Sequence, residues 1–347
     1  MIVTVHRVYP VSQAHSTRGQ REDARRSTTA YHLLVFPAAA ACMWLMYHPW
    51  PLDHWSCRAA WVLLASYALL SLSSCLHETV HHTYCRSPRL NVAVGRIIGT
   101  LFLVPYTVYR ESHIRHHGHL NRPTDWELWP YSDPSASRTF RRIFVWFDLF
   151  LGTITTPYIY GRIFFHKNSP IALGGKIWRT MLYEYMAVAI VWGTFLGTLE
   201  YYGKLGSKHA LWLLPLWLMT FLQTGRKLTE HLGMDSFDPI RGTRTVVGGN
   251  LMTRVCSYLQ FDIFVHGPHH RHPKMPHTKL RATMEGYLTG DADTYPAFST
   301  YRHAVLDMLP HLLRHPGCGV NARRALANVA TESDCATGQQ PLFRNAA

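Results

Sequence analysis

The stretch AAWVLLASYALLSLSSCLHETVHH, residues 59–82, places a long apolar run directly before a cluster of histidines. Between Ala59 and Leu76 there is no Asp, Glu, Lys or Arg. This run approaches the roughly 20 residues that a helix needs to cross a bilayer. We therefore predict a membrane-spanning helix that ends in His77, His81 and His82.

Three further apolar segments predict spans of the same kind, and short connectors join them in pairs. The segments are Tyr31–Leu52, about Thr180–Leu199 and about His209–Gly225. Two shorter stretches are also apolar. Ile97–Tyr109 is expected to form a buried helix or a re-entrant or interfacial helix, and Ile143–Tyr160 is expected to form an interfacial helix. The predicted fold class is an all-α integral membrane protein with four transmembrane helices in two hairpins and a cytoplasmic, histidine-rich cap.

The charge of the chain is informative about topology rather than about nucleic acid. The net charge is +14, but the basic residues are dispersed and no nucleic-acid-binding motif accompanies them. Five arginines precede the first predicted span, whereas the two hairpin turns carry few charges, so the N-terminus and all histidine clusters are expected in the cytoplasm. We divide the chain into a basic arm (1–30), a catalytic membrane domain (31–316) and a flexible C-terminal tail (317–347).

Thirteen of the 23 histidines lie in residues 77–119 and 231–277, in three clusters and two isolated positions. In the first cluster, His77 and His81 are four residues apart and share a helical face, which His82 does not. The second and third clusters share the spacing H-x-x-H-H, which predicts a three-imidazole face on a helix. They comprise His113, His116 and His117, and His266, His269 and His270. An isolated histidine, His231, follows the fourth predicted span.

These nine histidines are candidate metal ligands, with His82, His119 and His272 as additional candidates. Neutral imidazoles are good ligands for iron, zinc, copper or nickel, and nine of them suit two ions better than one. The seven cysteines occur singly, so a thiolate zinc site is not expected. Iron fits a set of imidazoles without thiolates, and zinc remains open on the same ligands.

The three histidine clusters, with their order and their placement around two hydrophobic hairpins, resemble the membrane fatty-acid desaturase and hydroxylase superfamily. The resemblance covers roughly Tyr31 to Leu280, and the segment from His116 to Asn121 resembles the second box of bacterial members. It implies a non-haem di-iron centre, with His231 as the isolated ligand and either His81 or His82 in the first box. Helical spacing favours His81. The third box continues as Arg271-His272-Pro273, which departs from the common apolar ending.

The resemblance implies an oxidoreductase that desaturates a fatty acyl chain of a lipid with O2 and two electrons from a separate donor. Such a donor would be a protein such as ferredoxin with its reductase. Four basic residues are candidates to attract it: Arg115, Arg271, Lys274 and Lys279. The membrane is expected to be a bacterial inner membrane. A channel for the acyl chain is required, and the candidates to line it are Trp126, Trp129, Phe261 and Phe264, with packing in the core as the alternative.

Two other functions fit the same residues. A hydroxylase or ketolase acting on a lipid, an alkane or a carotenoid-like substrate would carry the same histidine boxes. A zinc-binding membrane transporter, or a receptor-like protein with a histidine site, belongs to another class. A transporter places its ligands near the bilayer midplane, whereas the clusters here are predicted at helix ends, which weighs against it.

Overall fold

A computed structural model describes residues 54–203, 205, 209–291, 295–325 and 327, together with the isolated positions 37, 38 and 41. The described part is predominantly helical. Its elements are α1 (Trp55–His81), α2 (Pro88–Leu101), α3 (Tyr106–Gly118), α4 (Arg138–Phe150), α5 (Gly152–Phe165), α6 (Lys176–Tyr201), α7 (His209–His231), β1 (Thr245–Val246), α8 (Leu251–Leu259), α9 (His266–Arg271), α10 (His277–Asp291), β2 (Ala297–Phe298) and α11 (Tyr301–Arg314). The predicted span Tyr31–Leu52 and the basic arm lie outside the described residues, apart from the isolated positions.

Helices α1 and α6 are long and apolar enough to cross a membrane. Helix α1 contains the predicted span Ala59–Leu76 and continues to His81, where His82 takes a left-handed conformation and ends the helix. Helix α6 contains the predicted span Thr180–Leu199, and only 6% of its most apolar window is buried by the protein. Because most of these apolar side chains are not buried by the protein, the surface of α6 is suited to contact with lipid.

The two shorter apolar segments are each split between two helices, so the prediction of a single interfacial helix in Ile143–Tyr160 is wrong, whereas the re-entrant alternative for Ile97–Tyr109 stays a prediction. Helices α2 and α3 are bent by 104° within Ile97–Tyr109, and α4 and α5 by 117° within Ile143–Tyr160. At the first break, Leu103 has φ 59° and Pro105 disfavours a helical conformation at the residue before it. At the second, a Cβ on Gly152 would lie 2.9 Å from Thr224 Oγ1 of α7, so only glycine permits this close approach.

Each bent pair is apolar enough to form one broken span or a re-entrant loop, so the described residues contain between two and four candidate spans. Helix α7, which contains the predicted fourth span His209–Gly225, is not among the candidates selected by length and hydropathy. It nevertheless packs along α1 and also contacts α4, α5 and α11. The C-terminal ends of α1, α3 and α7 meet, and the histidines occupy these ends.

Residues 316–321 form what we call the C-terminal clasp, and they are not the loose chain that composition predicts. Cys318 is fully buried and its amide donates to the Tyr131 carbonyl (3.1 Å). Gly317 accepts from the Gly233 amide (2.8 Å), and Gly319 donates to the Met234 carbonyl (2.8 Å). The clasp therefore joins the loop after α3 to the loop after α7. Beyond it, the predicted tail is described only at residues 322–325 and 327.

Candidate metal centre

The first histidine pair lies on the last turn and a half of α1. His77 and His81 are both buried, and their ring centroids are 4.8 Å apart. Their spacing of four residues places them on one face of the helix, as the sequence predicts. His82 is the exposed left-handed residue that ends the helix, so its ring does not join them.

The other two boxes also lie on helices. His113, His116 and His117 occupy the last turns of α3, and His266, His269 and His270 lie on the short helix α9. His231 is the last residue of α7 and is 4% exposed, so it is a buried residue rather than an interfacial one. Elements far apart in the chain thus converge on one buried location.

The nine histidines separate into two groups. Within each group, one ring nitrogen from each histidine lies within 4.8 Å of the corresponding nitrogens of the others. The five-imidazole group comprises His77, His81, His113, His117 and His269. The four-imidazole group comprises His116, His231, His266 and His270. These are the nine candidates selected from the sequence, and their use as metal ligands remains a proposal.

Each H-x-x-H-H box is divided between the two groups, which corrects the expectation of a shared three-imidazole face. In α3 the outer residues His113 and His117 belong to the five-imidazole group, and the middle residue His116 belongs to the other. In α9 the assignment is reversed, because His269 alone joins the five-imidazole group. On an α-helix, positions i and i+4 are displaced by about 40° around the axis, whereas i+3 lies about 60° to the other side of position i. One box can therefore serve two adjacent sites.

Distances between ring nitrogens test whether these groups fit a metal ion. Four Nε2 to Nε2 distances are short: His81 to His113 (3.1 Å), His113 to His117 (3.1 Å), His231 to His266 (2.9 Å) and His266 to His270 (3.0 Å). Two nitrogens bonded to one ion at about 2.1 Å lie about 3.0 Å apart at a right angle and about 3.4 Å apart at a tetrahedral angle. At these distances the paired nitrogens are close enough to bind a common ion.

Buried nitrogens without partners give a second test. Among the described residues, His77 Nε2 and His269 Nε2 are buried and accept or donate no hydrogen bond. A buried polar atom left unsatisfied costs about 1–3 kcal/mol. Both atoms belong to the five-imidazole group, so a metal ion there would satisfy them. The residues therefore fit the metal that the sequence analysis implies.

Three acidic side chains bond the outer nitrogens of the imidazoles. His113 Nδ1 lies 2.8 Å from Glu127 Oε2, and His116 Nδ1 lies 2.8 Å from Asp125 Oδ2. His77 Nδ1 lies 3.1 Å from Glu78 Oε1. A carboxylate that accepts the Nδ1 proton leaves the Nε2 lone pair available for a metal, and it fixes the ring orientation.

Sequence reasoning did not identify Asp125 and Glu127. They lie in the segment Pro-Thr-Asp-Trp-Glu, residues 123–127, shortly after the second box, and both are buried. A signal that could have identified them is that each ligating histidine needs a hydrogen-bond partner at its second ring nitrogen. Glu127 is held in turn by the Tyr160 hydroxyl, which donates to its Oε1 at 2.8 Å.

The protonation state of the third box suits metal binding. Burial, together with neighbouring imidazoles and the Arg226 guanidinium, holds the pKa values of His266, His269 and His270 well below the ordinary value. These rings are therefore neutral at physiological pH, and a neutral imidazole is the form that binds a metal. Burial by itself raises the pKa of Glu127, but the adjacent His113 and His116 outweigh burial and lower it.

The additional candidates from the sequence do not join either group. His119 bonds the Thr124 hydroxyl (2.8 Å), and His272 lies 3.3 Å from the Tyr287 hydroxyl. The basic residues suggested for donor attraction are partly or fully exposed, but Arg271 forms an ion pair with Asp238. The two groups of imidazoles thus draw on nine of the twelve candidate histidines.

A cavity of about 550 Å³ reaches the histidines from the apolar interior. At its polar end it is lined by His77, His113, His116, His231, His266, Glu127 and Glu230. Most of the remaining surface is apolar and includes Leu76, Leu101, Phe102, Ile159, Trp192 and Met219. The cavity can hold an extended apolar molecule next to the two groups of imidazoles.

The aromatic residues suggested from the sequence do not line this cavity, so the alternative holds, with Phe261 and Phe264 in the core and Trp126 and Trp129 partly buried. Trp126 and Trp129 pack against the Arg162 guanidinium. Phe261 is 1% exposed in the main hydrophobic cluster, and Phe264 packs against Tyr301. Proximity to a box in sequence did not predict proximity to the cavity, because most of its apolar lining comes from α1, α5, α6, α7 and the α2–α3 connection.

Comparison with known proteins gives a consistent result. The family model described as fatty acid desaturase matches residues 53–302. A chloroplastic omega-3 fatty acid desaturase from Ricinus communis is 26% identical over 277 residues, covering 72% of this chain and 55% of that protein. An sn-1 acyl-lipid omega-3 desaturase (ferredoxin) from Synechocystis is 26% identical over 252 residues, covering 67% and 68%. An endoplasmic-reticulum acyl-lipid omega-3 desaturase (cytochrome b5) from Arabidopsis thaliana is 23% identical, covering 74% and 67%. The chain spans little more than half of the Ricinus relative.

Proposed function

This chain belongs to the fatty acid desaturase family, and on that premise we propose that it is a membrane-bound di-iron desaturase of acyl lipids. The observation that carries the proposal is the position of the nine imidazoles, eight of which are buried and one partly buried. They form two groups beside the polar end of a predominantly apolar cavity. A cavity of this kind accepts a hydrocarbon chain and presents it to the metal centre.

Iron is the proposed metal at both groups. No cysteine among the described residues belongs to either group, so a thiolate does not bias the site toward zinc. Two iron ions, with O2, would supply the oxidising power that removal of hydrogen from an unactivated C–H bond requires.

The net reaction removes two hydrogens from adjacent carbons and forms a C=C bond. Two electrons from a donor and two protons combine with O2 and these hydrogens, so that two waters leave. The apolar cavity wall binds and straightens the chain, and its burial excludes bulk water from the centre. Asp125, Glu127 and Glu78 hold the imidazoles of His116, His113 and His77 in place.

The donor is proposed to be a separate protein of the ferredoxin or cytochrome b5 type. Two relatives carry one or the other donor in their names, which supports an external electron source. Lys274 is exposed, and it lies close enough to His81 of the five-imidazole group to interact with it electrostatically. A basic surface therefore lies close to the centre. Such a surface attracts an acidic donor.

The proposed topology keeps four spans with the histidines on the cytoplasmic side of a bacterial inner membrane. The basic N-terminal segment and the sparsely charged hairpin turns support this orientation. The meeting of α1, α3 and α7 at their C-terminal ends supports a metal centre at the membrane surface rather than at the midplane. This position disfavours the zinc-transporter alternative.

The decisive experiment is a product assay in a host that lacks the corresponding unsaturated lipids. Wild-type protein and His116→Ala would be expressed at matched membrane levels, and fatty acids would be identified by mass spectrometry after derivatisation of double bonds. His303→Ala is a matched control, because His303 is exposed at the start of α11 and bonds Ser299 and Thr300. We expect a new double bond with the wild type and the control only. Hydroxylated products instead of alkenes would assign the hydroxylase alternative.

A further inference from the structure

One buried carboxylate faces the imidazoles from the opposite side to the others. Asp125, Glu127 and Glu78 each contact an Nδ1 atom, the outer nitrogen of a ring. Glu230 differs, because its Oε2 lies 3.5 Å from Nε2 of His266. That nitrogen is the inner one, since it also lies 2.9 Å from His231 Nε2 and 3.0 Å from His270 Nε2. Glu230 therefore lies on the metal side of its group.

The group next to Glu230 is also the one with fewer nitrogen donors. It has four imidazoles, whereas the other group has five. An iron ion accepts up to six ligands, and hard carboxylate oxygens accompany imidazoles at many iron sites. The four-imidazole group thus has room for an oxygen ligand beside His266.

The surroundings of Glu230 keep its carboxylate in that position. Glu230 is 3% exposed and lines the cavity, and both of its oxygens lie 3.1–3.2 Å from Nη1 of Arg226. Arg226 is also buried, one turn earlier on α7, and among the described residues its Nε has no partner. A buried guanidinium beside a metal cation requires an anion between them, and Glu230 occupies this place.

We propose that Glu230 is a carboxylate ligand of the metal ion in the four-imidazole group, oriented by Arg226. This inference rests on the proposed function, because it requires an ion in that group. It makes the two ions chemically different: one has only imidazole ligands from the described chain, and the other has imidazoles and a carboxylate. A carboxylate stabilises the more oxidised state of the ion that it binds, so this ion would be the harder of the two to reduce.

The test uses Glu230→Gln, which keeps the size of the side chain and an acceptor for Arg226 but removes the negative charge. Purified wild type and variant would be reconstituted with isotopically enriched iron, and iron per chain, chelator competition and Mössbauer spectra would be measured. We expect two bound irons in the wild type, with the affinity of only one reduced about 10- to 100-fold in the variant and only one spectral component altered.

Glu184→Gln is the matched control. Glu184 is also buried on a long helix and pairs with an arginine, Arg96, but it bonds Thr107 rather than a histidine. The control should keep both irons and both spectral components. If Glu230→Gln does not reach the membrane, Glu230→Asp replaces it. Asp keeps the charge but shortens the reach, so one spectral component should still change.

Two further outcomes separate this inference from the proposed function. A wild type that does not bind two irons would overturn both. A wild type with two irons, together with a Glu230→Gln variant that matches it in affinity and spectrum, would overturn the role of Glu230 alone.

Discussion

The two groups of imidazoles share the boxes of α3 and α9 but differ in how their rings are held. In the five-imidazole group, Glu78 and Glu127 bond the outer nitrogens of His77 and His113. In the four-imidazole group, only His116 has such a carboxylate, and His266 Nδ1 faces the Ile263 carbonyl at 3.2 Å. The outer nitrogens of the other two rings, His231 and His270, have no partner among the described residues.

This difference indicates that the two sites are not equivalent. The five-imidazole group has more rings and is anchored on α1, which packs along α7 and α2. The four-imidazole group depends on His231, at the very end of α7, and on the short helix α9. Ligands held by fewer carboxylates are less constrained, so we expect the second site to lose its metal first. The following predictions test this contrast.

The largest effect is expected for His231→Ala. This change removes one of four imidazoles from the weaker group, so bound iron should fall from about two per chain toward one. Product formation should fall by more than the roughly 100-fold that loss of a supporting contact produces. Metal analysis of the purified variant and a lipid product assay would measure both. His303→Ala should retain both irons. Full iron content and turnover in His231→Ala would contradict its assignment as a ligand.

A smaller effect is expected when an outer carboxylate is made neutral. Asp125→Asn should weaken metal binding at the four-imidazole group, and Glu127→Gln should weaken it at the five-imidazole group, each by about 10- to 100-fold. Because Asp125 is the one outer carboxylate of the four-imidazole group among the described residues, the Asp125 variant should lose the greater fraction of its iron during dialysis against a chelator. Equal loss in the two variants would remove the distinction between the sites.

A still smaller effect, on stability rather than on metal binding, is expected at the C-terminal clasp, which lies beyond the residues matched by the family model. The Asn321 side chain donates to the carbonyls of Tyr131 (2.9 Å) and Asp133 (3.0 Å) in the loop that follows Asp125 and Glu127. Asn321→Ala should lower the free energy of unfolding by about 1–3 kcal/mol, because it removes two hydrogen bonds. Thermal unfolding in detergent would measure this loss. An unchanged midpoint would show that the clasp does not support this loop.

The smallest effect is expected for His82→Ala. His82 is adjacent to His81 but exposed, with φ 59°, and it joins neither group. Substitution of an exposed residue of this kind changes energies by about 0.5 kcal/mol, so activity should stay within about twofold of wild type. His81→Ala in the same assay should abolish product formation. The reverse order would place His82, rather than His81, at the metal.

The sequence predicted much of the site because helical spacing is a local property. The separations of four residues in the first box and of three and four in the others are sufficient to select eight histidines and to prefer His81 over His82, whereas His231 was selected from its position after a predicted span and from the family resemblance. The division of each box between two groups was not predictable from one helix, because it depends on where the neighbouring helices place their own rings. The same limit applies to Glu230, whose relation to His266 arises from the packing of α7 against α9.

Other differences from expectation also have physical causes. An apolar run reports burial but not direction, so Ile97–Tyr109 and Ile143–Tyr160 gave no sign of bends of 104° and 117°. The residues 316–321 are mostly small, yet their backbone groups bond two loops, and composition does not report such contacts. Aromatic residues near a box in sequence were placed in the core, because the cavity is lined by other helices.

The most direct test of the central claim is an anomalous difference map recorded at the iron absorption edge from crystals of the iron-loaded protein. We predict two peaks, one among the nitrogens of His77, His81, His113, His117 and His269, and one among those of His116, His231, His266 and His270. The second peak should be the weaker after limited treatment with a chelator. A single peak, or signal at the zinc edge only, would contradict a di-iron centre built from these two groups.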